Sequence, residues 1–148
     1  MFRGDLRHSG VYETAGVPEF HGPKWTFQAI SRIGSSAVVA NGNVYFGSQD
    51  SNLYAIDAAT GEEKWRVTLR GAVVSTPAVV GGMVIAAGAA GEIYALDEQT
   101  GQRLWVFTTA TVIHSSPAVS DGIVFIGSSG NQRAVYMYAI DLLSGDLV

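Results

Sequence analysis

One segment of the chain occurs twice, and a shortened third copy follows it. The copies span residues 55–65, 95–105 and 139–145, so the two full copies lie 40 positions apart. Each full copy closes on a Trp, and Trp25 precedes Trp65 by the same interval. Self-similarity at a fixed period of this length is the sequence signature of a repeat architecture. The repeat therefore constrains the fold more strongly than any other feature of the sequence.

Each full repeat contains four short runs of strand-forming residues separated by turn residues. In the first unit the runs cover residues 35–40, 43–47, 53–57 and 64–68. Asn41-Gly42 separates the first two runs, and Gly81-Gly82 and Asp121-Gly122 occupy the equivalent positions. Such pairs tolerate the positive φ angles of a type I′ turn, so they predict tight hairpins. Four antiparallel strands per repeat of about 40 residues form the unit of a β-propeller blade.

The pattern predicts an irregular lead-in at residues 1–23 and a region of propeller repeats at residues 24–148. Within the repeats we expect a lone outer strand at 24–30, blades at 33–70 and 72–110, and a blade at 112–148 that lacks its outer strand. The predicted fold is therefore all-β, a β-propeller of four-stranded antiparallel blades with about three blades' worth of strands. Such a partial ring belongs either to a longer chain or to an oligomer, in which the strand around Trp25 completes the open blade of another copy. A β-solenoid is less favoured, since its repeats are shorter.

Composition and charge exclude several functional classes. No apolar run approaches the roughly 20 residues that a membrane helix needs, so no membrane span is predicted. The net charge of −4 argues against nucleic acid as a partner, because phosphate binding requires clustered Lys and Arg. The absence of Cys excludes disulfides and thiolate metal sites. The first residues lack the apolar core of a secretory signal, which indicates either a cytosolic protein or one whose signal was removed.

Three carboxylates share one repeat position, at Asp57, Asp97 and Asp141. A shared metal site is one interpretation. An Asp that precedes a Thr-Gly or Ser-Gly turn commonly accepts main-chain N–H bonds and fixes that turn, so a structural role is favoured. No metal site is predicted.

The histidines and the small hydroxyl residues give no catalytic pattern. His8, His21 and His114 lack the spacing of metal ligands. His114 is the most plausible of the three as a polar group at a central channel, although a structural role is favoured for it. Hydroxyl residues recur at the start of each blade and are attributed to crowding near the axis, although a ring of hydroxyls for ligand or water is the alternative. They are Ser35-Ser36, Ser75-Thr76 and Ser115-Ser116. No catalytic residue is assigned.

The pattern Ala-x-Asp-x-x-Thr-Gly-x-x-x-Trp resembles the tryptophan-docking repeat of the bacterial quinoprotein-type propellers, also called PQQ-like repeats. The resemblance covers the chain from about residue 24 to its end. In that family each Trp stacks against the small Ala and the Thr-Gly turn of a neighbouring blade. The residues that match this structural motif are Trp25, Ala55, Asp57, Thr60, Gly61, Trp65, Ala95, Asp97, Thr100, Gly101, Trp105, Ala139, Asp141 and Gly145.

The resemblance implies a non-catalytic binding or scaffolding module that acts on a protein partner through its loops and edge strands. Similar bacterial propellers serve as outer-membrane assembly lipoproteins and as extracytoplasmic sensor domains, which implies a periplasmic or extracellular location. Arg133, in the longer loop at 128–134, is the expected partner contact.

Two alternatives remain at this point. The first is a fragment of a PQQ-dependent quinoprotein dehydrogenase, a class whose cofactor lies over a Trp and under a vicinal Cys pair, beside a calcium ion. This chain has no Cys and no matching calcium ligands, so no cofactor is predicted outside that alternative. The second is a self-assembling structural repeat without a ligand.

Overall fold

Three antiparallel sheets make up the computed structural model, which describes residues 22–130 and 135–148. The described residues contain eleven strands and no helix. Blade 1 comprises β1 (Val38–Ala40), β2 (Asn43–Gly47), β3 (Asn52–Asp57) and β4 (Glu63–Thr68). Blade 2 comprises β5 (Ala78–Val80), β6 (Met83–Gly88), β7 (Glu92–Asp97) and β8 (Arg103–Thr108). Blade 3 comprises β9 (Ala118–Ser120), β10 (Ile123–Gly127) and β11 (Met137–Asp141). The predicted fold class is confirmed.

Strands within each blade follow one another in chain order, as expected of a meander closed by tight turns. Asn41 and Gly42 have φ angles of 47° and 76°, and Asp121 and Gly122 have φ angles of 51° and 76°. Positive φ at both central residues is the mark of a type I′ turn, so the predicted hairpins are confirmed. Since this turn follows the right-handed twist of its strands, it pairs Ala40 directly with Asn43.

The segment at residues 24–30 differs from its prediction as a lone outer strand. It has no strand assignment, because none of the described strands pairs with it and a strand requires a hydrogen-bonded neighbour. Trp25, Phe27 and Ala29 instead pack their side chains onto the face of blade 1 around Tyr54. Its side chains therefore alternate between half-buried and exposed, as in a strand, although none of the described sheets pairs with it.

The blades stack face to face, and each junction has its own apolar core. The core between blades 1 and 2 includes Leu53, Trp65 and Leu96, and the core between blades 2 and 3 includes Ile85, Ile93 and Ile140. Leu53, Ile85, Ile93, Leu96 and Ile140 are fully buried. Because a sheet with two apolar faces buries neither face alone, this stacking supplies the stability that a single blade lacks.

The first strands of successive blades lie side by side and share hydrogen bonds through the recurring hydroxyls. The main-chain N–H of Ser36 donates to Oγ1 of Thr76 at 3.3 Å, and that of Thr76 donates to Oγ of Ser116 at 2.9 Å. The preceding serines bond within their own blade, as when Oγ of Ser115 donates to the carbonyl oxygen of Gly127 at 2.6 Å. These hydroxyls therefore join blades and strands.

Candidate functional site

Three indoles dock between blades in the same geometry. The Nε1–H of Trp25 donates to the carbonyl oxygen of Ala58 at 3.0 Å. Trp65 and Trp105 make the equivalent bonds to the carbonyl oxygens of Glu98, at 3.0 Å, and Leu142, at 2.9 Å. In each case the accepting residue lies in the next blade, directly after the aspartate of its repeat (Asp57, Asp97 or Asp141). Because a buried indole needs a partner for its N–H, this bond fixes the depth and orientation of each ring.

The ring of each Trp lies against a glycine of the next blade. A Cβ at Gly61 would lie 2.7 Å from Cδ2 of Trp25, and one at Gly101 would lie 2.9 Å from Cδ2 of Trp65. The third junction repeats this contact, at 2.8 Å, between Gly145 and Trp105. Only a residue without a side chain permits so close an approach, which explains the glycine at this turn position.

The structure places the repeat alanines differently from the family expectation. Ala55 pairs with Trp65, and Ala95 pairs with Trp105, across adjacent strands of the same blade. A β-bulge follows each pair. The small side chain therefore makes room for the indole within its own sheet, and the neighbouring blade supplies the glycine and the carbonyl oxygen.

The repeat carboxylates are engaged in their own turns. Oδ1 of Asp57 accepts the main-chain N–H groups of Ala59 and Thr60 at 2.8 and 3.0 Å. These bonds, with the Lys64 ion pair at 3.3 Å, hold the pKa of Asp57 below its usual value. Asp97 and Asp141 accept equivalent bonds. Each carboxylate thus stabilises one turn.

The polar cluster between blades 1 and 2 was missed by sequence reasoning. Glu98 is only 6% exposed, and its Oε1 accepts Nδ2–H of Asn41 at 2.8 Å and the hydroxyl of Tyr45 at 3.1 Å. Burial, followed by the charge and hydrogen bond of Glu98, raises the pKa of Tyr45 to about 12 against an opposing bond from Asn43. A cavity of about 360 Å³ opens here beside Lys64 and Gln99. Glu98 therefore connects the first hairpin of blade 1 to blade 2. The repeat pattern does not identify Glu98, because the equivalent positions in blades 1 and 3 are Ala58 and Leu142.

The edge of blade 3 is the most unusual surface among the described residues. Met137 is 73% exposed, whereas its repeat equivalents Leu53 and Ile93 are fully buried. Val135 and Tyr136, which precede β11, are 54% and 55% exposed. In blades 1 and 2 the equivalent strands are covered by β4 and β8. Strand β11 therefore has the sequence of an interior strand. Among the described residues only Leu147 and Val148 lie along its outer edge, where Leu147 bridges Ile140 and the N–H of Val148 donates to the carbonyl oxygen of Ala139 at 3.0 Å.

The remaining residues considered in the sequence analysis are Arg133, His8, His21 and His114. Arg133, His8 and His21 lie outside the described residues. His114 is exposed, at the segment that leads into β9.

The described residues do not fit the PQQ and calcium site of the dehydrogenase alternative. No group of three or more His, Asp or Glu side chains among them is placed to hold a metal ion. The three indoles lie against glycine turns, and the repeat carboxylates are bonded to their own turns. None of the described residues forms a helix long and apolar enough to cross a membrane.

The comparisons with known proteins agree with this architecture. The family model described as outer membrane protein assembly factor BamB matches residues 21–148. BamB from Moraxella catarrhalis is 25% identical with a TM-score of 0.72, over 84% of this chain and 38% of that one. A quinohemoprotein alcohol dehydrogenase from Pseudomonas putida HK5 is 27% identical with a TM-score of 0.71, over 82% of this chain and 20% of that one.

A third structure, a europium-containing methanol dehydrogenase, shares the fold. It is 24% identical with a TM-score of 0.74, over 84% of this chain and 26% of that one. The chain thus spans less than two fifths of the length of each of these structures. A comparison with the curated proteins found no significant match.

Proposed function

Because the chain belongs to the family described as outer membrane protein assembly factor BamB, we propose that it is a non-catalytic β-propeller module that binds a protein partner. The membership confirms the predicted resemblance to the PQQ-like repeat propellers. The family description names an outer membrane protein assembly factor, which supports the proposed location in the periplasm or at the cell exterior. The module acts as a scaffold that holds an extended segment of its partner.

The exposed edge of β11 is the observation that carries this proposal. An edge strand presents unpaired main-chain N–H and C=O groups, and an extended peptide binds there by adding a strand to the sheet. The edges of blades 1 and 2 carry charged residues such as Lys64, Arg66 and Arg103, which discourage strand addition. From Met137 to Ile140, β11 carries none. Blade 3 is therefore the blade best suited to accept a strand.

The repeat also indicates what a bound strand should contain. In blades 1 and 2 an alanine of the third strand pairs with a Trp of the fourth. Ala139 is the equivalent alanine of β11. Val148 already donates its N–H to the carbonyl oxygen of Ala139 at 3.0 Å, so a partner strand with alternating apolar residues matches the remaining edge of β11 around Met137.

Peptide binding tests the proposal. We expect a labelled, end-blocked peptide with the sequence of residues 24–30 to bind the chain, as measured by fluorescence anisotropy. Met137→Lys should weaken binding by about tenfold or more, since it places a charge within the new contact. Leu143→Lys is the matched control, because Leu143 is 80% exposed and lies in the turn after β11. Absence of peptide binding, or equal weakening by both variants, would contradict the proposal.

The rival function is a fragment of a PQQ-dependent dehydrogenase, which the likeness to the quinohemoprotein alcohol dehydrogenase favours. Titration with PQQ and Ca²⁺, followed by quenching of Trp fluorescence, separates the two functions. We expect no saturable quenching and no dye-linked alcohol oxidation. Saturable quenching with stoichiometric calcium dependence would replace the scaffold proposal with the enzymatic one.

A further inference from the structure

The junction of blades 1 and 2 is polar at a place where the next junction is apolar. Polar side chains line the cavity of about 360 Å³, and their repeat equivalents at the junction of blades 2 and 3 are all apolar or glycine. The lining residues are Asn41, Asn43, Lys64, Glu98 and Gln99, and the equivalents are Gly81, Met83, Leu104, Leu142 and Leu143. Met83 and Leu142 are buried in the apolar core of the second junction. The fold therefore does not require polar side chains at this place.

Two acceptor groups of this cavity lack donors. Asn43 is only 8% exposed, and its Oδ1 is buried without a hydrogen-bond partner in the part of the chain that the structure describes. Turning the amide over would not help, because Nδ2–H of Asn43 donates to the hydroxyl of Tyr45 at 2.9 Å, and that hydroxyl already donates to Glu98. Oε1 of Glu98 accepts two hydrogen bonds, whereas Oε2 accepts none from the described residues. Because a buried acceptor without a donor is costly, the arrangement indicates a donor from outside the chain.

The charges around the cavity favour a cationic donor. Lys64 is paired with Asp57 at 3.3 Å, so these two charges offset each other. The carboxylate of Glu98 is bonded only to neutral donors, the side chains of Asn41 and Tyr45, among the residues described. A carboxylate withdrawn from water without a cationic partner attracts a cation. An organic cation fits better than a metal ion, because Glu98 is the one carboxylate in the lining of this cavity.

We propose that the cavity binds a guanidinium group, which donates N–H bonds to the carboxylate of Glu98 and to Oδ1 of Asn43. A guanidinium is planar, always charged and presents its donors in a fixed fork, so it can bond two neighbouring acceptors at once. The Tyr45 hydroxyl, which is bonded to both side chains, holds the two acceptors close together. The cavity volume is in the range of small-ligand sites, so it also accommodates an attached alkyl chain.

The guanidinium group has two possible sources, which share this chemistry. One is an arginine side chain of a protein, and the other is a free alkylguanidine. The site lies between blades 1 and 2 and does not involve β11. It therefore extends the proposed function without depending on it, and its failure would leave that proposal standing.

Calorimetric titration of the full chain tests the site. We expect saturable binding of n-butylguanidine, and binding of the uncharged n-butylurea that is weaker by about tenfold or more. Glu98→Gln should also weaken the binding of n-butylguanidine by about tenfold or more, because it removes the charge and keeps an acceptor for Asn41 and Tyr45. Glu62→Gln is the matched control, since Glu62 is exposed and does not line the cavity. Equal weakening by both variants, equal affinity for both probes, or no saturable binding at millimolar concentrations would overturn the proposal.

The apolar side chains of the next junction provide a second test. The triple variant Asn43→Met, Tyr45→Phe and Glu98→Leu removes the buried polar groups together, and it copies Met83 and Leu142 at two of the three positions. Because no acceptor or donor is left unpaired by this exchange, we expect the variant to keep its strands by circular dichroism and to lose n-butylguanidine binding. Retention of binding by the folded variant would overturn the proposal.

An end-blocked tripeptide with a central arginine distinguishes the two sources. Binding of this peptide at least as tight as that of n-butylguanidine would support a protein side chain as the ligand. Weaker binding of the peptide would support a free alkylguanidine.

Discussion

The indole N–H of Trp65 donates to the main-chain carbonyl oxygen of Glu98 across the junction of blades 1 and 2, at 3.0 Å. The side-chain carboxylate of Glu98 also accepts hydrogen bonds from Asn41 and Tyr45 of blade 1. One position of blade 2 thus accepts hydrogen bonds from the first hairpin and from the last strand of blade 1. This double attachment joins the two blades at one position, and it identifies the residues whose replacement should weaken the junction.

Replacement of Trp65 by Ala should lower the free energy of unfolding by about 3–5 kcal/mol, because it removes a large buried ring and leaves a cavity. The indole is only 9% exposed. Urea denaturation monitored by circular dichroism measures the loss. Leu104→Ala is the control, since Leu104 is 52% exposed and its loss should cost about 0.5 kcal/mol or less. A loss below about 1 kcal/mol for Trp65→Ala would contradict the docking role.

Replacement of Gly101 by Ala should destabilise the fold more than replacement of Gly82. Both glycines have positive φ angles, 72° and 78°, so each substitution carries a backbone cost of about 1–2 kcal/mol. A Cβ at Gly101 would also meet Trp65 at 2.9 Å, whereas a Cβ at Gly82 meets nothing within 4 Å. The steric conflict should add about 1–3 kcal/mol. Equal unfolding free energies for the two variants would show that the indole does not require this glycine.

Replacement of Asp97 by Asn should make the stability less dependent on acid pH. Hydrogen bonds from the Thr100 side chain and from main-chain N–H groups lower the pKa of Asp97 below 3.8 in the folded state. The ionised carboxylate therefore stabilises the fold above pH 3.8, and this contribution is lost as the pH falls through the lower folded pKa. Urea denaturation at neutral and acid pH should show a difference between wild type and variant that shrinks with acid. A constant difference at every pH, or the same trend in the exposed Asp146→Asn, would contradict this cause.

Replacement of Glu98 by Ala should cost about 1–3 kcal/mol, because it leaves the buried hydroxyl of Tyr45 without its acceptor and also removes the acceptor of the Asn41 side chain. Glu98→Gln should also lower the pKa of Tyr45 from about 12, since the negative charge contributes to that value. Denaturation and ultraviolet titration of the phenol measure the two effects. Gln99→Ala, at the exposed next position, is the control. If Glu98→Ala were no more costly than Gln99→Ala, the cluster would not join the blades.

The strands and turns could be predicted from the sequence to a large extent. Asn41-Gly42 and Asp121-Gly122 adopt the expected left-handed angles because φ preferences are local properties of a residue. The strand boundaries were less accurate. Strand β1 begins at Val38 rather than Ser35, because the Ser35 hydroxyl bonds to the main chain of Gly47 on the neighbouring strand.

The contacts between blades could be predicted only in outline. The family pattern indicated that each Trp docks on a turn, but it placed the repeat Ala on the neighbouring blade. The pairing of Ala55 with Trp65 depends on a register that two strands of one sheet set together. The role of Glu98 had no signal at all, since the equivalent positions are apolar. Its partners lie more than 50 residues away in sequence.

The sequence alone determined the period, the hairpins and the class of fold, because these depend on turn preferences and on apolar alternation over a few residues. Only the tertiary structure decided which carbonyl oxygen receives each indole and which carboxylate is buried. Every residue offers a carbonyl oxygen, so its selection depends on how two sheets stack.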